Sequence, residues 1–138
     1  MPKGSYKPVD SSEGPGRLDR AVNLVRQARD LAVLATGDQD AVGIMDLCVN
    51  AAIAFADALT IGGAGIQNSQ DHQAAPRTLE AALGRRADPQ QVSRLKRLLN
   101  RKGAIQYDHR PLRLDEALDY LEQTERFGEW AKGVARSL

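Results

Sequence analysis

Three features of this 138-residue sequence predict an all-α fold, an antiparallel four- to five-helix up-and-down bundle. Alanine and leucine carry most of the 42% apolar fraction, β-branched runs are nearly absent, and apolar positions recur at helical spacing between glycine and proline breakers. Alanine and leucine lose little side-chain freedom in a helix, whereas a sheet draws on β-branched and aromatic residues that are scarce here. The length suits one hydrophobic core, so residues 17–138 are expected to form a single helical-bundle domain.

Residues 1–16 (MPKGSYKPVDSSEGPG) are rich in Gly, Pro and Ser. With hardly an apolar side chain to offset the entropy of ordering, they are expected to be a disordered N-terminal tail. From Leu18, the positions Ala21, Val22, Val25, Ala28, Ala32 and Ala35 mark the buried face of a first helix that stops at Gly37. Asp38 or Asp40 can cap the next helix, and the short loop sends it back alongside the first. That second helix, about Ala41 to Ile61, is apolar nearly all round, the mark of a central helix. Gly62, Gly63 and Gly65 end it and open a loop to about Gln70. A third helix begins near Asp71, and Pro76 requires either a start near Ala75 or a kink. Asp88 followed by Pro89 signals a short fourth helix buried through Val92, Leu95, Leu98 and Leu99. Gly103 breaks it, and Ala104 to Pro111 reads as an extended connection. The last helix runs from about Leu114 to the C-terminus, with Leu114, Ala117, Leu118, Leu121 and Thr124 on its inner face. Phe127 and Trp130 are core or interface anchors rather than a cofactor box.

Nineteen basic and eighteen acidic residues leave a formal charge of +1, so any grip on nucleic acid must come from a local cluster. The one cysteine, Cys48, sits in an apolar run as a small hydrophobe, which fits a reducing compartment. No secretory signal and no uninterrupted apolar span is present, so a cytoplasmic protein without a membrane partner is expected. HExxH, CxxC and spaced His pairs are missing, so neither a metal nor another cofactor is expected.

Two groups of residues could carry chemistry. Asp46, Asn50 and Asp57 fall on one narrow stripe of the central helix. They either line a pocket or metal site, or bond to neighbouring elements, a dimer partner or solvent. Arg94, Lys96, Arg97, Arg101 and Lys102 place five positive charges in nine residues, with Arg94, Arg97 and Arg101 on one face. That stripe either grips the phosphates of RNA or a nucleotide, or is a solvated face partly neutralised by Glu80, Glu116 or Glu122. His72 and His109 are the two histidines, and Asp71–His72 reads as a helix cap.

Three stretches in this order and spacing resemble the HEPN superfamily, small helical bundles of prokaryotic toxin–antitoxin, nucleotidyltransferase-associated and RNA-cleaving systems. They are Asn50-Ala51-Ala52-Ile53-Ala54-Phe55-Ala56-Asp57-Ala58-Leu59, Asp71-His72-Gln73-Ala74-Ala75, and Lys102-Gly103-Ala104-Ile105-Gln106-Tyr107-Asp108 leading into Glu116-Ala117 and Arg126-Phe127. The resemblance implies a homodimer, with RNA, a nucleotide or a cognate antitoxin or nucleotidyltransferase as partner. Active members carry an arginine, four to six residues, then a histidine. Here Lys102 takes the arginine position, with four residues between it and Tyr107 and six between it and His109. Lysine lacks the guanidinium fork, and tyrosine, with an ordinary pKa near 10, is a poor base. If Lys102 pairs with Tyr107, the resemblance implies a non-catalytic or weakly catalytic dimer that binds through Arg94, Arg97, Arg101, Lys102, Tyr107 and His109. If His109 is the matching residue, it implies a metal-independent endoribonuclease. There Arg101 or Lys102 stabilises phosphate, His109 moves the proton and the RNA 2′-hydroxyl attacks. A plain interaction bundle without ligand is the third reading.

Overall fold

A computed structural model describes residues 6–69, 71–107 and 110–138. It is an all-α bundle in which, among the described residues, six helices, α1 (Gly14–Leu34), α2 (Ala41–Ala64), α3 (Ala75–Leu83), α4 (Pro89–Asn100), α5 (Lys102–Gln106) and α6 (Leu114–Ala135), accompany one two-stranded ribbon, β1 (Tyr6–Pro8) with β2 (Ile66–Asn68). Contacts fix the directions. Gly14 at the start of α1 meets Gly62 near the end of α2, and Leu31 meets Gly43, so α1 and α2 are antiparallel. Arg94 bonds Gln123 and Arg101 bonds Glu116, so α4 and α6 are antiparallel too.

The helix α2 is the hub, touching α1, α3, α4, α5 and α6. By length and composition it is apolar enough to cross a membrane, but 61% of its most apolar window is buried within the bundle. Its alanines explain the close packing. Ala51 and Ala52 are fully buried, and small side chains let a neighbouring helix approach without leaving voids. The bulk comes from Phe55, whose ring stands edge-on to Phe127 at 6.4 Å, while Phe127 lies 5.6 Å from Trp130. Phe127 is therefore a core residue and Trp130 packs at its margin.

Four sequence expectations are corrected. Within residues 1–16, the described part is ordered. Strand β1 pairs antiparallel with β2 in the register Lys7 to Gln67, Asp10 caps a 3-10 turn over Ser11–Glu13, and α1 starts at buried Gly14 with Pro15 in its first turn. Backbone pairing and capping supply what the apolar count did not reveal. The central helix continues through Gly62 and Gly63 to Ala64, because Leu138 and Leu83 pack over those glycines, and it is closed by Gly65 at φ 64°. The connection after Gly103 is not extended throughout, since Lys102–Gln106 form α5, anchored by buried Ile105. Val22 and Leu118, expected on inner faces, are 38% and 43% exposed. Of the alternatives at Pro76, the helix starts at Ala75, after a 3-10 turn capped by Asp71.

Candidate functional site

The amphipathic pattern of α4 sends Val92, Leu95, Leu98 and Leu99 into the core and leaves Arg94, Arg97 and Arg101 at the edge facing α6. Between the two helices lies a cleft of about 480 Å³. Met45, Leu98 and Tyr120 form its apolar part, the three arginines line it from α4, and Glu116, Asp119 and Gln123 line it from α6. Tyr120 is fixed there because its hydroxyl donates to the Leu98 carbonyl. Burial pushes the phenol well above its ordinary pKa, so it stays neutral.

Arg94 is the unusual member. It is only 8% exposed, yet its partners are neutral amides: Nε donates to Gln123 Oε1 at 3.0 Å and Nη1 to Gln91 Oε1 at 2.8 Å. Among the described residues no carboxylate lies within ion-pair distance of it, and its Nη2 carries no hydrogen bond. A guanidinium has five N–H donors, so this one keeps donors for a further acceptor. Arg101 is held differently, with Nη2 2.8 Å from Glu116 Oε2, both side chains about two-fifths exposed at 42% and 40%. Arg97 is exposed. The cleft thus offers a largely buried cation with no carboxylate in ion-pair contact, beside a second that is already paired.

The other expected site residues are not gathered there. Lys102 follows Arg101 but faces away, its Nζ 5.6 Å from the ring centroid of Tyr107, which is 73% exposed. Its charge also reaches His72, where burial and then Lys102 lower the imidazole pKa. His109 lies outside the described residues.

The polar stripe of α2 is divided among separate surroundings. Asp46 accepts from Gln106 Nε2 at 3.0 Å, Asp57 from Gln67 Nε2 at 3.4 Å, and Asn50 is exposed. No group of three His, Cys, Asp or Glu side chains suited to a metal occurs among the described residues. Cys48 is buried, and burial pushes its thiol up to about 12, as suits a small hydrophobe.

Burial likewise pushes the Asp57 carboxyl up to about 6, against the opposing pull of Gln67, Arg17 and Lys7. A carboxyl with a raised folded-state pKa contributes most below its unfolded value near 4, and that contribution is lost as pH rises through about 6. Asp57→Asn, which keeps an oxygen for Gln67, is expected to raise stability by about 1–2 kcal/mol at pH 8 and by almost nothing at pH 3.5. Urea unfolding at the two pH values measures it.

Composition and charge runs pointed to the three arginines but not to Gln91, Asp119, Tyr120 and Gln123. The available signal was the α6 spacing of Glu116, Asp119, Tyr120 and Gln123, which forms the border of its apolar stripe. No protein-family model and no curated protein matches this chain.

Proposed function

We propose that the chain is a non-catalytic binding module whose α4–α6 cleft takes the phosphate of a nucleotide. The observation that carries this reading is Arg94, a buried guanidinium held by two amide oxygens with N–H donors to spare. Burying a cation without an ion-pair partner is costly, and a bound phosphate supplies both the charge and further acceptors. A nucleotide fits better than a long RNA. The cleft volume is that of a small-molecule site, and the facing Glu116 and Asp119 would repel an extended polyanion while accepting hydrogen bonds from ribose hydroxyls. The HEPN resemblance adds a homodimer to the proposal, which sedimentation would measure. An endoribonuclease would require His109, and RNA cleavage lost in His109→Ala is the result that would favour it.

Calorimetric titration with ADP tests the reading. Arg94→Gln is expected to weaken binding about 10- to 100-fold, as for the loss of a charge-assisted hydrogen bond of about 1.5–3 kcal/mol. Unchanged ADP affinity in Arg94→Gln, or no affinity of the unaltered protein for ADP or pyrophosphate, would overturn it.

A further inference from the structure

The α4–α6 cleft does not end at the Arg101–Glu116 pair. The same two side chains line a smaller cleft of about 180 Å³, closed on its other sides by Ala104, Arg110, Pro111 and Leu112. Those four residues in turn line a third cleft, of about 310 Å³, that reaches Val42 and the Asp38–Gln39 turn. Met45 in the first cleft and Val42 in the third are three residues apart on α2, about 4.5 Å along its axis. The three clefts share walls in succession, and those walls change character from one to the next.

The first bay is lined by three arginines facing two carboxylates, the second by the Arg101–Glu116 pair and Arg110, and the third chiefly by Val42, Ala104, Ile105, Pro111 and Leu112, with Arg110, Asp38 and Gln39 completing its wall. Val42 is 50% exposed, an apolar surface left open in the third bay. Asp38 lines that bay. Its Oδ1 takes the backbone N–H of Leu114 at 2.8 Å and leaves the second oxygen, while the Gln39 carboxamide is turned to Thr36 and Gly37, its Nε2 donating to Thr36 Oγ1 at 2.9 Å and its oxygen lying against Gly37. Apolar faces bordered by a carboxylate oxygen match a flat ring that carries an amino group. A bare phosphate would leave this bay unused, and an aliphatic chain would leave the Asp38 carboxylate facing a group that cannot donate.

We infer that the third bay is a base subsite. An aminated nucleobase lies against Val42 and Leu112 with its amino edge toward Asp38, its sugar passes the Arg101–Glu116 pair, and its phosphates reach Arg94. This rests on the phosphate reading of the first bay and adds the part of the ligand that selects a nucleotide over other phosphates.

Calorimetric titration of the full chain with ADP, ribose 5-phosphate and pyrophosphate separates the two claims. ADP is expected to bind at least about tenfold more tightly than either smaller probe, reflecting apolar surface covered in the third bay. In Val42→Asn, at a half-exposed position where folding is little affected, the ratio of ADP to pyrophosphate affinity is expected to fall to about one. If pyrophosphate binds but ADP binds no more tightly, or Val42→Asn leaves the ratio unchanged, the base subsite is wrong and the phosphate site stands. If no probe binds, both are overturned.

Discussion

Ala52→Asp is expected to abolish cooperative folding. Ala52 is fully buried on the helix that touches every other helix of the bundle, and it belongs to the same core cluster as Val25, Leu79, Leu95 and Phe127. A carboxylate there loses its water and, in this apolar cluster, gains no cation. The cost of several kcal/mol is of the size of the whole stability of a domain, about 5–15 kcal/mol. Protonation would lessen the charge penalty but leave a hydroxyl and a carbonyl without partners and an oxygen pair in space shaped for a methyl group. Far-ultraviolet circular dichroism during heating should show a broad, low-temperature transition or none. A melting curve like that of the unaltered protein would mean that α2 is not enclosed at this position.

The second large effect is expected at Gly128, where helix α6 crosses the Phe55 ring. A Cβ built there would stand 2.7 Å from both Cε2 and Cζ of Phe55, closer than packed atoms approach. Phe55 has little room to yield, since it is 2% exposed and edge-on to Phe127. Two effects oppose each other in Gly128→Ala. Helix propensity favours alanine by about 1 kcal/mol, whereas overpacking costs about 1–3 kcal/mol and rises for anything larger. The clash should win, lowering Tm by several degrees in Gly128→Ala and by more in Gly128→Val. Phe55→Leu should recover part of the loss, which a double-mutant cycle would register as coupling between the two positions. At Gly133, where the nearest atom is an Arg136 side-chain nitrogen at 3.8 Å, the same change to alanine should instead stabilise.

The helices were legible where periodicity and a breaker agreed. Asp88 and Pro89 mark the start of α4, and the Asp88 carboxylate does accept from the Gln90 N–H at 2.9 Å. The apolar run of α2 identified it as central because a helix without a polar face has to be covered on every side. Legibility failed where order comes from the backbone. Tyr6–Pro8 has no apolar pattern of its own and is held by pairing to Ile66–Asn68, a partner some 60 residues away that no local reading brings near. Glycine was misread for a related reason: Gly62 and Gly63 lie within α2 under leucine side chains, so they serve close packing rather than termination.

The candidate site was half legible. Spacing alone placed Arg94, Arg97 and Arg101 on one face, and the cleft gathers all three. Spacing did not show that Arg94 would be buried while Arg97 stays in water, because that difference is made by Gln123 reaching across from α6. Nor did sequence adjacency keep Lys102 with Arg101, since neighbours on a helix point about 100° apart and α5 begins between them.

The most direct test of the phosphate-binding cleft is the arginine side-chain N–H region of an NMR spectrum recorded while ADP is added. The expected result is saturable movement of the Nε–H signals of Arg94, Arg97 and Arg101, with Arg94 moving most, while those of Arg26 and Arg126, paired with Asp30 and Glu122, stay in place. Equal small shifts of all arginines, or an Arg94 signal that never moves, would contradict the account.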